Sequence, residues 1–199
     1  MEYGNALTMA SLFDGIGGFL LAAVRNGITP VWASEIEPLR GEPLPGLSVA
    51  GARAGLAGTR SGLFSHQIRI IKEMRDADKR LGRTGVDVRP RFAVWENVPG
   101  CLSSTSDGIP GSDFQEVIEA FARIEEPYLD VIRPASGRWE YTGAVLGVRS
   151  CVAWTEWAAE YFGVPQRRRR IFAVTDFAGF RPIQILFEQD SLPGYPAQG

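Results

Sequence analysis

The chain has 199 residues, of which 45% are hydrophobic and 22% charged, a composition ordinary for one soluble globular domain. Its net charge of -2 excludes a global basic field for nucleic acid, so such a contact must come from a local patch. Two cysteines, Cys101 and Cys151, give neither a disulfide framework nor the spacing of a metal site. Because no apolar run reaches transmembrane length and no signal-peptide layout is present, we expect a cytoplasmic protein with no membrane partner.

The N-terminal segment predicts a strand over 7–13, a glycine turn and a helix over 17–26. A second strand follows over 29–34. A glycine turn between a strand and a helix directs helix N–H groups at a polar ligand, although an ordinary strand-to-helix turn has the same pattern. Glu35 follows the turn by about twenty residues, where a nucleotide-binding βαβ unit places a carboxylate on a ribose hydroxyl. Together these two features predict a nucleoside-type ligand.

The segment 37–62 is rich in Gly, Pro, Ala and Arg and shows no sustained period, so we predict a long loop. Its basic half, 47–62, is suited to closing over a ligand and contacting phosphates, with a mobile linker as the alternative. Apolar residues at helical spacing then predict a helix that begins near Ser61. His66 falls in this helix, and we interpret it as a solvated residue.

The second half of the chain alternates between apolar strands and one amphipathic helix. We predict strands over 91–95, 145–154 and 170–174, and a helix over 114–124. This alternation of strands and helices favours an open α/β sheet.

Glu96 follows an apolar strand directly, and open α/β sheets bind ligands at the carboxyl ends of their strands. A glutamate flanked by Trp95 and Val98 could hold a proton and donate it to a substrate. The alternative is a structural glutamate that caps a neighbouring loop.

Four consecutive arginines, 167–170, precede the apolar segment 171–174. If the run is extended, Arg168 and Arg170 share one face and the other two share the opposite face. One pair could then bind a phosphate or a carboxylate in the site. A solvated basic turn is the alternative, but the direct junction to a buried strand favours a functional pair.

Taken together, these segments resemble the DNA (cytosine-5) methyltransferase family of the bacterial and phage type, over most of residues 7–178. The resemblance implies a reduced Rossmann-like core with a mostly parallel sheet, S-adenosylmethionine as the cofactor and double-stranded DNA as the partner. The segment 11–19 resembles the family motif that cradles this cofactor. The cofactor-binding residues implied in this way are Phe13, Asp14, Gly15, Gly17, Gly18, Glu35 and Ile36.

Three further segments, 48–64, 96–98 and 161–170, resemble the mobile DNA-closing loop, the motif whose glutamate contacts the target cytosine and the Q-x-R-x-R motif. In the family mechanism a cytosine is flipped out, a cysteine thiolate attacks C6 and the glutamate supports the charge at N3. The resemblance therefore assigns catalytic roles to Glu96, Asn97, Arg168 and Arg170, and DNA contacts to Ser48, Arg53 and Arg60.

The chain departs from the family pattern in two places. The Pro-Cys-Gln motif that carries the nucleophile is missing before the loop at Ser48, together with the strands expected around it. Beyond Phe177 only a short tail remains, too short for a target-recognition domain. We therefore predict an incomplete methyltransferase domain over 1–178 and a Pro/Gly-containing tail over 179–199. Cys101 lies near Glu96 and could replace the nucleophile, but a small residue packed in a turn is the favoured interpretation.

These departures predict a DNA cytosine-5 methyltransferase by descent that is inactive as this chain. Two alternatives remain open. One is a non-catalytic module that binds cofactor or DNA and could be the partner of an intact methyltransferase. The other is a decayed gene product. Without a recognition domain, any DNA binding is expected to be weak and independent of sequence.

Overall fold

A computed structural model describes residues 7–12, 15, 17–34 and 61–187. The chain divides into two compact units, Met1–Leu44 and Pro45–Gly199, and each is described by itself. Within the described residues, no helix combines the length and the apolar character needed to cross a membrane.

The first unit is a strand–helix–strand segment with parallel strands. Its elements are β1 (Thr8–Leu12), α1 (Gly18–Arg25) and β2 (Thr29–Ser34), and β1 pairs with β2 in parallel. Gly17 has a φ of 82°, a left-handed conformation that glycine adopts without steric cost, and the chain enters α1 directly after it. The order and approximate bounds of the predicted strand, turn, helix and strand are confirmed here.

The second unit combines helices with an antiparallel sheet. Its helices are α2 (Ser61–Arg80), α3 (Ser112–Ala122) and α4 (Arg181–Phe187). Its strands are β3 (Phe92–Asn97), β4 (Gly143–Leu146), β5 (Cys151–Ala158) and β6 (Arg169–Asp176). In the described part of this unit the strand order is β3-β6-β5-β4, and every neighbouring pair is antiparallel.

The predicted mostly parallel, Rossmann-like sheet is therefore wrong. Among the described strands only β1 and β2 are parallel, whereas the larger sheet is antiparallel. The connections explain the difference, because a parallel crossover needs a dozen or more residues. Only residues 147–150 join β4 to β5, and residues 159–168 join β5 to β6. The single strand predicted over 145–154 is in fact the end of β4, a tight turn and the start of β5.

The core lies between α3 and one face of the sheet. Phe114 and Ile118 of α3 are fully buried, and the Phe114 ring centroid lies 5.3 Å from that of Trp154 on β5. The opposite face is partly covered by α4, whose Leu186 packs in a second apolar cluster with Ala153. α4 falls within the segment 179–199, for which a tail without a helix was predicted.

An ion pair fixes one end of the contact between β3 and β6. Arg91 donates from Nε and Nη2 to the two carboxylate oxygens of Asp176, at 3.0 and 2.9 Å. Asp176 is completely buried, and its hydrogen bonds with Arg91 raise the pKa of that guanidinium. The pair holds the start of β3 against the end of β6 and so supports the register of the two strands.

Candidate active site

The candidate site lies at the other end of the same strand pair. Glu96 on β3 stands opposite Phe172 on β6, so Arg170, two residues before Phe172, shares its face of the sheet. Arg170 Nε donates to Glu96 Oε1 at 3.1 Å, and Arg168 Nη2 lies 3.4 Å from the same oxygen. The predicted sharing of one face by Arg168 and Arg170 is confirmed by these contacts.

The electrostatics of the site are those of one carboxylate between two cations. The Glu96 and Arg170 side chains are about one-quarter exposed, at 26% and 25%, while Arg168 is half exposed. Burial, followed by the positive charge of Arg168, lowers the pKa of Arg170, and Glu96 opposes that effect. Both guanidinium groups contact Oε1 and thereby leave Oε2 as the second acceptor of the carboxylate. The group carries a net positive charge, which suits a nearby phosphate.

Aromatic rings lie on the same face of the sheet as Arg170, a feature that was not predicted from the sequence. Trp157 on β5 stands opposite Arg170, and its ring centroid lies 5.2 Å from that of Phe172 and 5.9 Å from that of Phe162. Phe162 is half exposed, at the turn that follows β5. Flat apolar rings beside guanidinium groups form a surface on which a planar base can stack. The period of two along β5 and β6 could have placed Trp157 and Phe172 on one face, but only the pairing of the strands brings them together.

Asn97 and Glu96 are neighbours in β3, but the structure places their side chains on opposite faces of the strand. Successive side chains of a strand point to opposite faces, so Asn97 lies on the face away from Glu96. Its side-chain oxygen accepts a hydrogen bond from the backbone N–H of Val98, at 2.8 Å. In the structure Asn97 therefore shapes the backbone where β3 ends.

Cys101 lacks the properties of a nucleophile. It is buried in the short 3-10 helix Pro99–Leu102, and burial raises the pKa of its thiol to about 12. A reactive cysteine needs access and a lowered pKa, and Cys101 has neither. Cys151 is buried in β5, where desolvation raises its pKa to about 11.

The residues predicted for the cofactor fall mostly outside the described part of the chain. Gly15 and Gly17 have positive φ values of 57° and 82°, a backbone conformation that residues with a side chain rarely adopt. Gly18 is the first residue of α1. The described ranges contain no group of His, Cys, Asp and Glu side chains that could hold a metal ion. The predicted residues outside the described ranges are Phe13, Asp14, Glu35, Ile36, Ser48, Arg53 and Arg60.

Comparison with known proteins gives one informative similarity. No family model matches the chain. The chain is similar to a DNA N-6-adenine-methyltransferase of Escherichia phage P1, with 32% identity over 180 residues. The match covers 79% of this chain but 22% of the relative, so the chain spans about a fifth of that protein's length.

This similarity overturns the resemblance to the cytosine-5 family, because the matched relative is named for the adenine reaction. The resemblance rested on motifs that do not distinguish the cytosine reaction from the adenine reaction. The glycine turn, the carboxylates and the arginines are suited to holding a nucleoside cofactor, a base and phosphates, tasks that both reactions share. The cysteine that attacks cytosine C6 is specific to the cytosine reaction, and its motif is the one that this chain lacks.

Proposed function

We propose that this chain is part of a DNA methyltransferase that uses S-adenosylmethionine and acts on the exocyclic amino group of adenine. The observation that carries the proposal is the similarity to the phage P1 enzyme over 79% of the chain. Methylation of an amino nitrogen requires no covalent attack on the base by a cysteine. The absence of the Pro-Cys-Gln motif and the burial of the Cys101 thiol are therefore compatible with catalysis.

The glycine turn before α1 is proposed to contact the cofactor, which supplies an electrophilic methyl group on a sulfonium. The positive φ values of Gly15 and Gly17 fit a glycine turn whose backbone a ligand can approach closely. Glu35 is proposed to bind the ribose of the cofactor, and Phe13, Asp14 and Ile36 are proposed as further cofactor-binding residues. These assignments rest on the sequence pattern of the first unit.

Glu96 is proposed to bind the target base. Its Oε2 atom can accept a hydrogen bond from an amino group while Oε1 is held by Arg168 and Arg170. The two arginines orient the carboxylate and give the site the positive charge that a nucleotide phosphate needs. Trp157 and Phe162 offer faces on which the flipped base can stack.

The proposal is tested by methyl transfer from radiolabelled S-adenosylmethionine to duplex DNA, followed by digestion and separation of the labelled nucleosides. We expect the label in N6-methyladenine and a large loss of it with Glu96→Gln. The matched control is Glu73→Gln, which removes an exposed carboxylate that pairs with Arg69 on α2. Label in 5-methylcytosine would contradict the adenine assignment.

Calorimetry of S-adenosylmethionine binding separates two outcomes in which no transfer is seen. Cofactor binding without transfer would identify a binding module, and absence of both would overturn the proposal. DNA contacts by Ser48, Arg53 and Arg60 are proposed as well and are tested by a salt series of DNA binding.

A further inference from the structure

A second cluster of cations lies on the face of the sheet opposite Glu96, at the same end of β6. Arg169 points to this face because it alternates with Arg168 and Arg170. Its Nη2 is paired with Glu156 Oε1 on β5, and its guanidinium carbon lies 5.4 Å from the centroid of the Tyr141 ring. The Arg138 guanidinium carbon lies 5.3 Å from the same ring, and Arg138 Nη2 donates to the Tyr141 hydroxyl.

We propose that Arg138, Tyr141 and Arg169, here called the Arg138–Tyr141–Arg169 cluster, contact the phosphate backbone of duplex DNA. The inference deepens the proposed function, on which it rests, by naming a DNA-contacting surface that sequence analysis did not identify. Arg169 was predicted only to lie on the face away from Arg168 and Arg170, and no role was predicted for Arg138 or Tyr141.

The placement of charge supports this surface. The Glu156 side chain is 8% exposed, whereas the Arg169 side chain that pairs with it is 56% exposed. The carboxylate is thus buried below its partner, and the cation faces solvent. Each guanidinium has five N–H donors, and the contacts that the structure describes for Arg138 and Arg169 within the cluster use a minority of them. The cluster therefore presents spare charged donors on an exposed, aromatic-backed surface.

The extent of the cationic region favours a polyanion over a single phosphate. Arg168 and Arg170 lie on the opposite face of the sheet, where both contact Glu96, whereas Arg138, Arg167 and Arg169 are exposed near the strand end that carries the cluster. A free phosphate would be satisfied by one or two of these groups, while a DNA backbone offers successive phosphates to several of them. On a chain of net charge -2, this concentration of arginine is a local patch of the kind that binds DNA.

The test is fluorescence anisotropy of a labelled duplex with the full chain, without cofactor, over a salt series. The double variant Arg138→Gln, Arg169→Gln should bind more weakly and flatten the slope of log K against log salt by about two units, since each phosphate contact contributes about 0.9. Arg69→Gln is the matched control, because Arg69 is 57% exposed and pairs with Glu73 as Arg169 pairs with Glu156. The Arg69→Gln variant should have the same salt slope as the unchanged chain.

A purely structural role for the cluster predicts a different result. Lysine at both positions keeps the charge, so the double lysine variant should retain most of the salt slope even if the unfolding midpoint falls. An equal loss in Arg69→Gln, or no DNA binding by the unchanged chain, would overturn the inference. Displacement of DNA by inorganic phosphate at constant ionic strength, beyond that seen with chloride, would instead identify a small-anion site.

The two proposals fail in distinguishable ways. A chain that binds DNA through the cluster but transfers no methyl group and binds no cofactor refutes the proposed function alone. A chain that methylates adenine while the double glutamine variant keeps its affinity and its salt slope refutes the inference alone.

Discussion

Replacement of Arg91 by methionine should strongly destabilise the second unit. Asp176 is completely buried, and the substitution removes both hydrogen bonds that Arg91 donates to it. The backbone N–H of Ala178, 3.0 Å from Oδ1, is the remaining donor that the structure gives this carboxylate. Breaking a buried ion pair by removing one partner costs about 3–5 kcal/mol, because the other charge stays buried without compensation. We therefore expect the free energy of unfolding to fall by about that amount.

Urea unfolding followed by tryptophan fluorescence measures the change, since Trp95, Trp139 and Trp154 lie in the same unit near the core. The companion variant Arg91→Met, Asp176→Asn removes the buried charge and keeps an acceptor for Ala178. It should cost only about 1–2 kcal/mol, the net value of the lost hydrogen bonds. A loss below about 1 kcal/mol in the single variant would refute the reasoning from a buried unpaired charge, as would a double variant as unstable as the single one.

Three further predictions concern thiol reactivity, acid stability and the cofactor. Cys101 and Cys151 should resist a thiol reagent at pH 8 in the folded chain, because burial raises their pKa values to about 12 and about 11. Both should react in urea, and rapid labelling of the folded chain would contradict this prediction. Burial alone would raise the pKa of Glu126, but hydrogen bonds from the Ser150 hydroxyl and the amides of 148–150 lower it below its ordinary 4.5. The ionised Glu126 therefore stabilises the fold above the pKa that it has in the unfolded chain, and this stabilisation is lost as the pH falls through its lower pKa in the folded chain. The urea midpoints of Glu126→Gln and of the unchanged chain should differ at pH 7 and converge in acid. Glu35→Ala should weaken S-adenosylmethionine binding by about 1.5–3 kcal/mol in calorimetry, and an unchanged affinity would remove the ribose assignment.

Local features of the first unit and of the arginine run were predictable from sequence. The turn containing Gly15 and Gly17 depends on backbone freedom, which the residue type itself specifies. The separation of Arg168 and Arg170 from Arg169 depends only on the period of two in an extended chain. Both features are determined within a few residues, so no knowledge of distant partners was needed.

The direction of the strands and the ends of β4 and β5 depended on distant partners. The turn at 147–150 is held by Glu126, whose carboxylate accepts hydrogen bonds from the backbone N–H groups of 148, 149 and 150. Because Glu126 lies more than twenty positions before this turn, the apolar pattern of 145–154 alone predicted a single strand. The seven residues of α4 pose the same difficulty, since Leu186 gains its burial from β5 and β6.

The alternation of the arginine run connects the candidate site to the cluster on the other face. Because side chains have a period of two, a slip of one residue in β6 would move Arg169 to the face of Glu96 and Arg168 and Arg170 to the face of Glu156. The slip would separate Glu156, which is almost fully buried, from Arg169, and it would separate Glu96 from both of its guanidinium partners. The ion pairs of Glu96 and Glu156 therefore favour the same register that Arg91 and Asp176 fix at the other end of β6. In this way the residues proposed to bind the base and those proposed to bind the DNA backbone depend on a single strand alignment.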